Sequence, residues 1–262
     1  MGRVVTIGVL GLGEAGGTIA ADAAAAGATI RGYDPIPERD APGIERVTDP
    51  GAAAEGADVV LSVNAGAEAL TAAHSVADRL GPGQLFADLN SAGPPLKRAV
   101  AEIVEPHGAA FADVALMLPV LRRRLGTPTL ASGRGAERFA ELMRPLGMPV
   151  AVLGLEPGAA AMRKLLRSVF MKGIAAAAIE SLRAGAAAGC EDWLRADLAA
   201  ELEHADAEFL ERLVASSERH ARRRADEVRD AGELLRELGV EPRVTRAAGE
   251  WLSELAATAG AR

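Results

Sequence analysis

The feature that most constrains this chain is a run of glycines near its start. Val9-Leu10-Gly11-Leu12-Gly13-Glu14-Ala15-Gly16 sets a G-x-G-x-x-G directly after an apolar stretch and directly before an Ala-rich one. Val4–Leu10 reads as a buried strand and Gly17–Ala26 as a helix. A chain that leaves a strand, turns on glycines and enters a helix in so few residues opens a parallel sheet wrapped by helices. Each glycine then has a physical task. Gly11 permits the tight turn, Gly13 leaves room for a pyrophosphate at the backbone, and Gly16 lets helix and strand pack closely. Leu12, Glu14 and Ala15 complete the loop, whose amides at the helix N-terminus would face the phosphates.

A second strand, Thr29–Tyr33, ends in Asp34, eighteen residues after Gly16, where an acidic side chain would bond an adenosine ribose. NAD is the expected cofactor, because Asp34 accepts from a 2′-hydroxyl and repels a 2′-phosphate. Arg31 and Arg39 keep NADP open. The plainer alternative has Asp34 capping a turn before Pro35 and the glycines only shaping a connection.

From Val4 to about Val152 short β-like runs alternate with helical stretches. Beyond the first two strands, the candidates are Ile44–Thr48, Asp58–Val63, Gln84–Asp88, Ala109–Val114, Thr129–Ser132 and Val150–Leu153. Between them Ala67–Leu80, Pro95–Pro106 and Ala136–Leu146 read as helices. After Pro157 the strand signal disappears. Ala159–Ala188 carries apolar residues at helical spacing, and Trp193–Ala199, Glu203–Leu213, Glu218–Leu238 and Thr245–Thr258 follow, punctuated by Gly239 and Pro242. The expectation is an α/β Rossmann domain over residues 1–155, with a doubly wound, mostly parallel sheet, and an all-α domain over residues 156–262. The active site is expected where the two meet.

Composition narrows the function. At 262 residues the chain has length for one or two domains, and its 3% aromatic content leaves cores to Ala, Leu and Val. A formal net charge of −7 argues against nucleic acid or an anionic membrane as main partner. Cys190 stands alone, which excludes an internal disulfide and any multi-cysteine metal site, fits a reducing cytoplasm, and points to a packing role. His74, His107 and His204 are scattered without ligand spacing, so no metal is expected. There is no leader-like start and no apolar run of about 18 residues or more, so the expected location is cytoplasmic, with no membrane span.

These motifs resemble the β-hydroxyacid dehydrogenase family, which includes phosphogluconate and hydroxyisobutyrate dehydrogenases. The likeness spans nearly the whole chain and is nearest to the branch whose C-terminal domain is phosphogluconate-dehydrogenase-like. Asp88-Leu89-Asn90-Ser91-Ala92-Gly93-Pro94 is similar to the family's D-x-S-T loop, which implies a place for Ser91 and Ala92 beside nicotinamide and substrate. Ser62-Val63-Asn64-Ala65 resembles the loop that lines the nicotinamide ribose, implicating Asn64 and Ala65. Asp113-Val114-Ala115-Leu116-Met117-Leu118-Pro119 stands where the family has D-x-P-V-S-G-G. The serine and paired glycines that hold a substrate carboxylate are replaced by Met117, Leu118 and Pro119, which suits a more apolar substrate body. Within Gly158–Ser168, similar to the family's G-x-x-x-x-x-K-x-x-N-N, Lys164 falls on the catalytic lysine.

At about 100° per residue, Lys164, Arg167, Ser168, Met171 and Lys172 share one broad helix face. Cations on an otherwise apolar helix need a reason, and the plain one is snorkelling beside a domain boundary. The functional one makes Lys164 the general acid–base group, with Arg167, Ser168 and Lys172 on the substrate. Arg167 in the pocket would replace the missing serine–glycine contacts with a fork for a carboxylate or phosphate. His220 and Arg224 lie near where relatives bring a lysine-bearing helix to the site, although a basic face paired with Asp226 and Glu227 is the simpler account.

The expected activity is hydride transfer between a nicotinamide cofactor and a small, anionic hydroxy or oxo acid or related alcohol. Two alternatives stand beside it: a C=N reductase like the imine reductases, which lack the family lysine, and a dinucleotide-binding sensor without turnover. The relatives dimerise through the C-terminal helices, and the resemblance implies a homodimer.

Overall fold

The computed structural model describes residues 4–259. Its strands are β1 (Thr6–Leu10), β2 (Thr29–Tyr33), β3 (Glu45–Arg46), β4 (Val59–Ser62), β5 (Leu85–Asp88), β6 (Ala110–Leu116), β7 (Thr129–Ser132) and β8 (Val150–Val152). Among them run the helices α1 (Glu14–Ala25), α2 (Pro50–Ala54), α3 (Ala69–Val76), α4 (Pro94–Val104), α5 (Val120–Arg123) and α6 (Ala136–Met143). Then come α7 (Ala159–Ala187), α8 (Glu191–Glu203), α9 (Ala207–Arg219), α10 (Ala221–Glu237) and α11 (Arg243–Ala259).

The strands form one sheet in the order β3-β2-β1-β4-β5-β6-β7-β8. All neighbours are parallel except β6 and β7, which run antiparallel. The chain therefore winds outward in both directions from β1 and β4, and the carboxyl ends of these strands open the crevice where such sheets bind ligands. Side-chain alternation divides the core into two layers. Ile7, Val9 and Leu61 pack on one face with Ile19 of α1 and Phe139 of α6. Leu10, Val60, Phe86 and Phe111 pack on the other with Ala53 of α2, Ala73 of α3 and Val100 of α4. This is the doubly wound, mostly parallel α/β sheet the sequence predicts, followed by helices alone.

Two short helices have no counterpart among the sequence-based expectations. In α2 the Asp49 carboxylate accepts from the Ala52 amide at 2.9 Å and Pro50 takes the first helical position, a start signal that Pro50-Gly51 disguises as a turn. In α5 the chain turns through Arg124, a non-glycine residue at φ +54°. Its guanidinium grips the Asp22 carboxylate of α1 at 2.6–3.1 Å, which fastens this turn to the glycine-loop helix.

By compactness the chain divides into residues 1–167 and 168–262, whereas the change of periodicity placed the division at 155. The first turns of α7 belong to the first unit because Asp113 Oδ2 accepts from the amides of Gly158 and Ala161 at 3.1 and 3.0 Å, and Ser132 Oγ accepts from Ala160 at 3.0 Å. Orphan donors of a helix start are thus satisfied by side chains from the middle of β6 and the end of β7.

Within the second unit α10 packs along α11, and buried Glu180 of α7 caps the start of α11. Its carboxylate accepts from the amides of Val244 and Thr245 at 2.8 Å and from the Thr245 hydroxyl at 2.6 Å. Cys190 precedes α8 and is exposed, which corrects the packing role expected of it. Among the described residues no helix is long and apolar enough to cross a membrane.

Candidate active site

The glycine loop carries β1 into α1. Gly11 has φ +97°, and a side chain there would collide with the carbonyl of Val63 and with Asn64 Oδ1. At Gly16 an added Cβ would sit 1.9 Å from the Gly11 carbonyl oxygen, so helix and strand approach as only glycine allows. Gly13 differs, since a Cβ there would meet only Arg39 Nη1, at 3.8 Å. As N-cap of α1, Gly13 brings no side-chain acceptor to the first-turn amides. Open space beside uncapped amides at a helix N-terminus fits a pyrophosphate.

Asp34 is buried at the end of β2. Its Oδ2 accepts from the Leu12 amide at 2.8 Å and its Oδ1 from the Ile36 amide at 2.9 Å, so it ties the glycine loop to the loop after β2. Arg39 Nη1 lies 3.5 Å from the same carboxylate. Arg31, by contrast, donates to the Glu55 carbonyl, which directs it away from Asp34. Arg46, which no sequence motif singled out, donates to the carbonyls of Asp34 and Ile36 at 2.9 Å and shapes that loop.

Next along the sheet the loops after β4 and β5 are joined by side-chain bonds. Asn90 Oδ1 accepts from the Asn64 amide, and Asn90 Nδ2 donates to Ser62 Oγ at 2.9 Å and to Asp88 Oδ1. Asn64 Nδ2 also donates to Ser62 Oγ, at 3.2 Å. The segments Ser62–Ala65 and Asp88–Pro94 thus form one bonded assembly next to Gly11.

Behind that assembly is a buried lysine. Lys97, in the first turn of α4, is 1% exposed. Its Nζ donates to the Asp88 carbonyl at 2.8 Å and pairs with Asp88 Oδ2 at 2.9 Å and Asp113 Oδ1 at 3.3 Å. A buried ammonium would be strongly destabilising without such partners. Asp88 and Asp113 are register partners on β5 and β6, so two carboxylates stand side by side with one cation between them.

Lys164 completes the cluster from α7. It is half-buried, and its Nζ donates to Ser91 Oγ at 2.8 Å. Burial holds its ammonium below the usual lysine range, the charge of Lys97 pushes the same way, and Asp113 pulls back. One turn on, Arg167 donates from Nη1 to the Met117 carbonyl at 2.8 Å and so lies against the loop that departs from D-x-P-V-S-G-G.

The structure therefore gathers these residues within the first unit: Gly11 lies against Asn64, Asn64 is bonded to Asn90 beside Ser91, Ser91 to Lys164, and Arg167, one turn on, to Met117. Ala65 is exposed after Asn64, Ala92 follows Ser91 half-exposed, and Met117 and Leu118 are partly covered. Ser168 and Lys172 continue α7 in the second unit. There Arg224 donates to Ser216 Oγ at 2.8 Å and Ser217 Oγ at 3.0 Å, while Arg223 pairs with Glu227 and Arg229 with Asp226. Asp88, Asn90 and Asp113 entered sequence reasoning only as members of motifs, without a role, and Lys97 and Ser132 were not singled out. Lys97 did carry a signal, being one of only three lysines in a chain with 29 basic residues.

Residues 6–147 match the family described as NAD binding domain of 6-phosphogluconate dehydrogenase, and residues 186–255 match a domain of unknown function. The mitochondrial 3-hydroxyisobutyrate dehydrogenase of Homo sapiens is 30% identical over 151 residues, 54% of this chain and 44% of that one. The chain spans about half the length of the curated relatives it matches. A conserved hypothetical protein from Sinorhizobium meliloti 1021 is 30% identical, with 96% of this chain and 88% of that one covered and a TM-score of 0.63. A reductive aminase from Aspergillus terreus superposes with a TM-score of 0.83 over 98% and 95% of the two chains at 16% identity, a likeness of fold alone.

Proposed function

Because the chain belongs to the β-hydroxyacid dehydrogenase family, through its match to the NAD binding domain of 6-phosphogluconate dehydrogenase, we propose that it is an NAD(P)-dependent oxidoreductase of a small hydroxy or oxo acid. The observation that carries this reading is the Lys164–Ser91 bond of 2.8 Å, on the loop whose Asn90 is bonded to Asn64 beside Gly11. In it Gly11–Gly16 hold the cofactor phosphates, Asp34 receives the adenosine ribose, and Asn64, Ala65 and Ser91 line the nicotinamide side. The bound nicotinamide supplies or accepts the hydride.

The chain's own residues manage the proton and the substrate. In oxidation neutral Lys164 takes the hydroxyl proton at Nζ; in reduction its ammonium returns a proton to the carbonyl oxygen. Ser91, held by Lys164, bonds the same substrate oxygen. Arg167 receives an anionic group of the substrate, taking over from the serine and glycines that Met117, Leu118 and Pro119 replace. Ser168 and Lys172 extend that surface along α7.

The reading includes a homodimer, with a second copy covering apolar residues of α7, and a reducing cytoplasm as the place of action. Assay of the purified protein with NAD(H) and NADP(H) against a panel of hydroxy acids, polyols and imines tests it. Turnover of a hydroxy or oxo acid is the expected result. Turnover of imines alone would replace it with C=N reduction, and cofactor binding without any turnover would replace it with a sensing role.

A further inference from the structure

The three lysines of the chain are Lys97, Lys164 and Lys172, against arginine at its other basic positions. Two lie on α7, and the third is sealed beneath the site. A compact ammonium suits the space at Lys97, where Nζ donates to the Asp88 carbonyl at 2.8 Å and forms ion pairs with Asp88 Oδ2 at 2.9 Å and Asp113 Oδ1 at 3.3 Å. The need for it arises from the sheet. Asp88, at the end of β5, is paired in register with Asp113 in the middle of β6, so without a cation between them two ionised carboxylates would face each other away from water.

Both carboxylates also have work on their other oxygens. Asp88 Oδ1 accepts from Asn90, which places the Asn90–Ser91 loop, and Asp113 Oδ2 accepts from Gly158 and Ala161, which places the start of α7. Lys164, one turn further along α7, reaches back to Ser91. Lys97 is thus the bond that closes a ring running Ser91, Asn90, Asp88, Lys97, Asp113, α7, Lys164. The charged groups acting on Lys164 are Lys97 from α4 and Asp113 from β6.

We propose that Lys97 is a positioning residue of the reaction: by engaging Asp88 and Asp113 it keeps Asp113 from capturing Lys164, and so leaves Lys164 on Ser91 with a transferable proton. The proposal rests on the reading of Lys164 as the acid–base group. Loss of Lys97 would strip Asp113 Oδ1 of its cation. Lys164, whose ammonium already feels the charge of Asp113, would be the replacement, and an ion pair there would hold the ammonium charged.

The test follows the ionisation of Lys164 directly, by pH-dependent trace labelling of the full-length protein with acetic anhydride and peptide mass analysis. N-acetyl-lysine amide, labelled in the same mixture, serves as the reference amine. In the wild type the Lys164 midpoint should lie below that of the reference. In Lys97→Met it should rise by about one pH unit or more, with a fall in kcat at unchanged cofactor Kd, while Lys97→Arg, which keeps the charge, should leave it low. Should Lys97→Met fail to fold, the neutral pair Lys97→Gln with Asp88→Asn still releases Asp113 and should give the same rise. A wild-type Lys164 midpoint equal to that of the reference amine, or one indifferent to both replacements, overturns the proposal. Undiminished turnover in Lys164→Ala overturns the acid–base reading instead, and the labelling midpoints tell the two failures apart.

Discussion

Lys164 Nζ and Ser91 Oγ meet at 2.8 Å across 73 residues of chain, joining α7 to the loop after β5. This contact gives the first prediction. Lys164→Ala should lower turnover by about 10²–10⁴ and leave cofactor affinity nearly unchanged, because the phosphate cradle proposed at Gly11–Gly16 is built without it. Steady-state rates beside a fluorescence titration of reduced cofactor check both halves. Since burial and then Lys97 hold the Lys164 pKa below the usual lysine range, oxidation should gain rate with rising pH at a midpoint below about 10.4. Reduction, which needs the ammonium, should lose rate through the same midpoint.

Arg167 acts on another parameter. Its guanidinium rests on the Met117 carbonyl and retains further donors for an anion. Arg167→Ala should chiefly raise KM for an anionic substrate with kcat nearly kept, the mark of a lost uniform contact. A drop in kcat at constant KM would place Arg167 in the chemistry rather than in binding.

For the cofactor, the buried Asp34 carboxylate is held against the Leu12 amide, and Arg39 is the cation beside it. Titration should show NAD(H) bound more tightly than NADP(H), and Arg39→Ala should widen the difference by removing the group best placed for a 2′-phosphate. Equal affinities in the wild type would count against Asp34 as the selector.

Glu180 offers a stability test in the second unit. Burial opposes its charge, but the Thr245 hydroxyl and the amides of Val244, Thr245 and Arg243 prevail, and its pKa is lowered. A lowered carboxylate pKa contributes stability above the unfolded value, about 4.3, and that contribution disappears as pH falls through the folded value. Glu180→Gln should cost about 1 kcal/mol, the worth of a helix cap, at neutral pH. The cost should shrink in acid. Thermal melts of the full chain at several pH values measure it.

The proposed dimer would use α7, where Leu166 is 64% and Val169 74% exposed, with Phe170 and Met171 also open. Apolar side chains in such a row mark a contact surface. Light scattering should report a dimer at micromolar concentration, and Val169→Glu with Phe170→Glu should shift it to monomer.

The glycine loop, the strand–helix alternation and the helical tail were legible in the sequence because each depends on near neighbours. A turn needs its glycines within a few residues, and a strand or helix repeats its apolar positions at a period its own residues display. Lys164 and Ser91 were legible one at a time, through motifs. Their contact was not, and neither was Lys97, whose place in α4 looks like any surface lysine until β5 and β6 align Asp88 with Asp113 above it. The grip of Arg124 on Asp22, 102 residues away, was hidden for the same reason. Sequence settles what each segment prefers locally; which charges meet in the interior is decided by strand register and helix docking, because only the assembled sheet brings distant groups within bonding distance and shuts out the water that would otherwise solvate them.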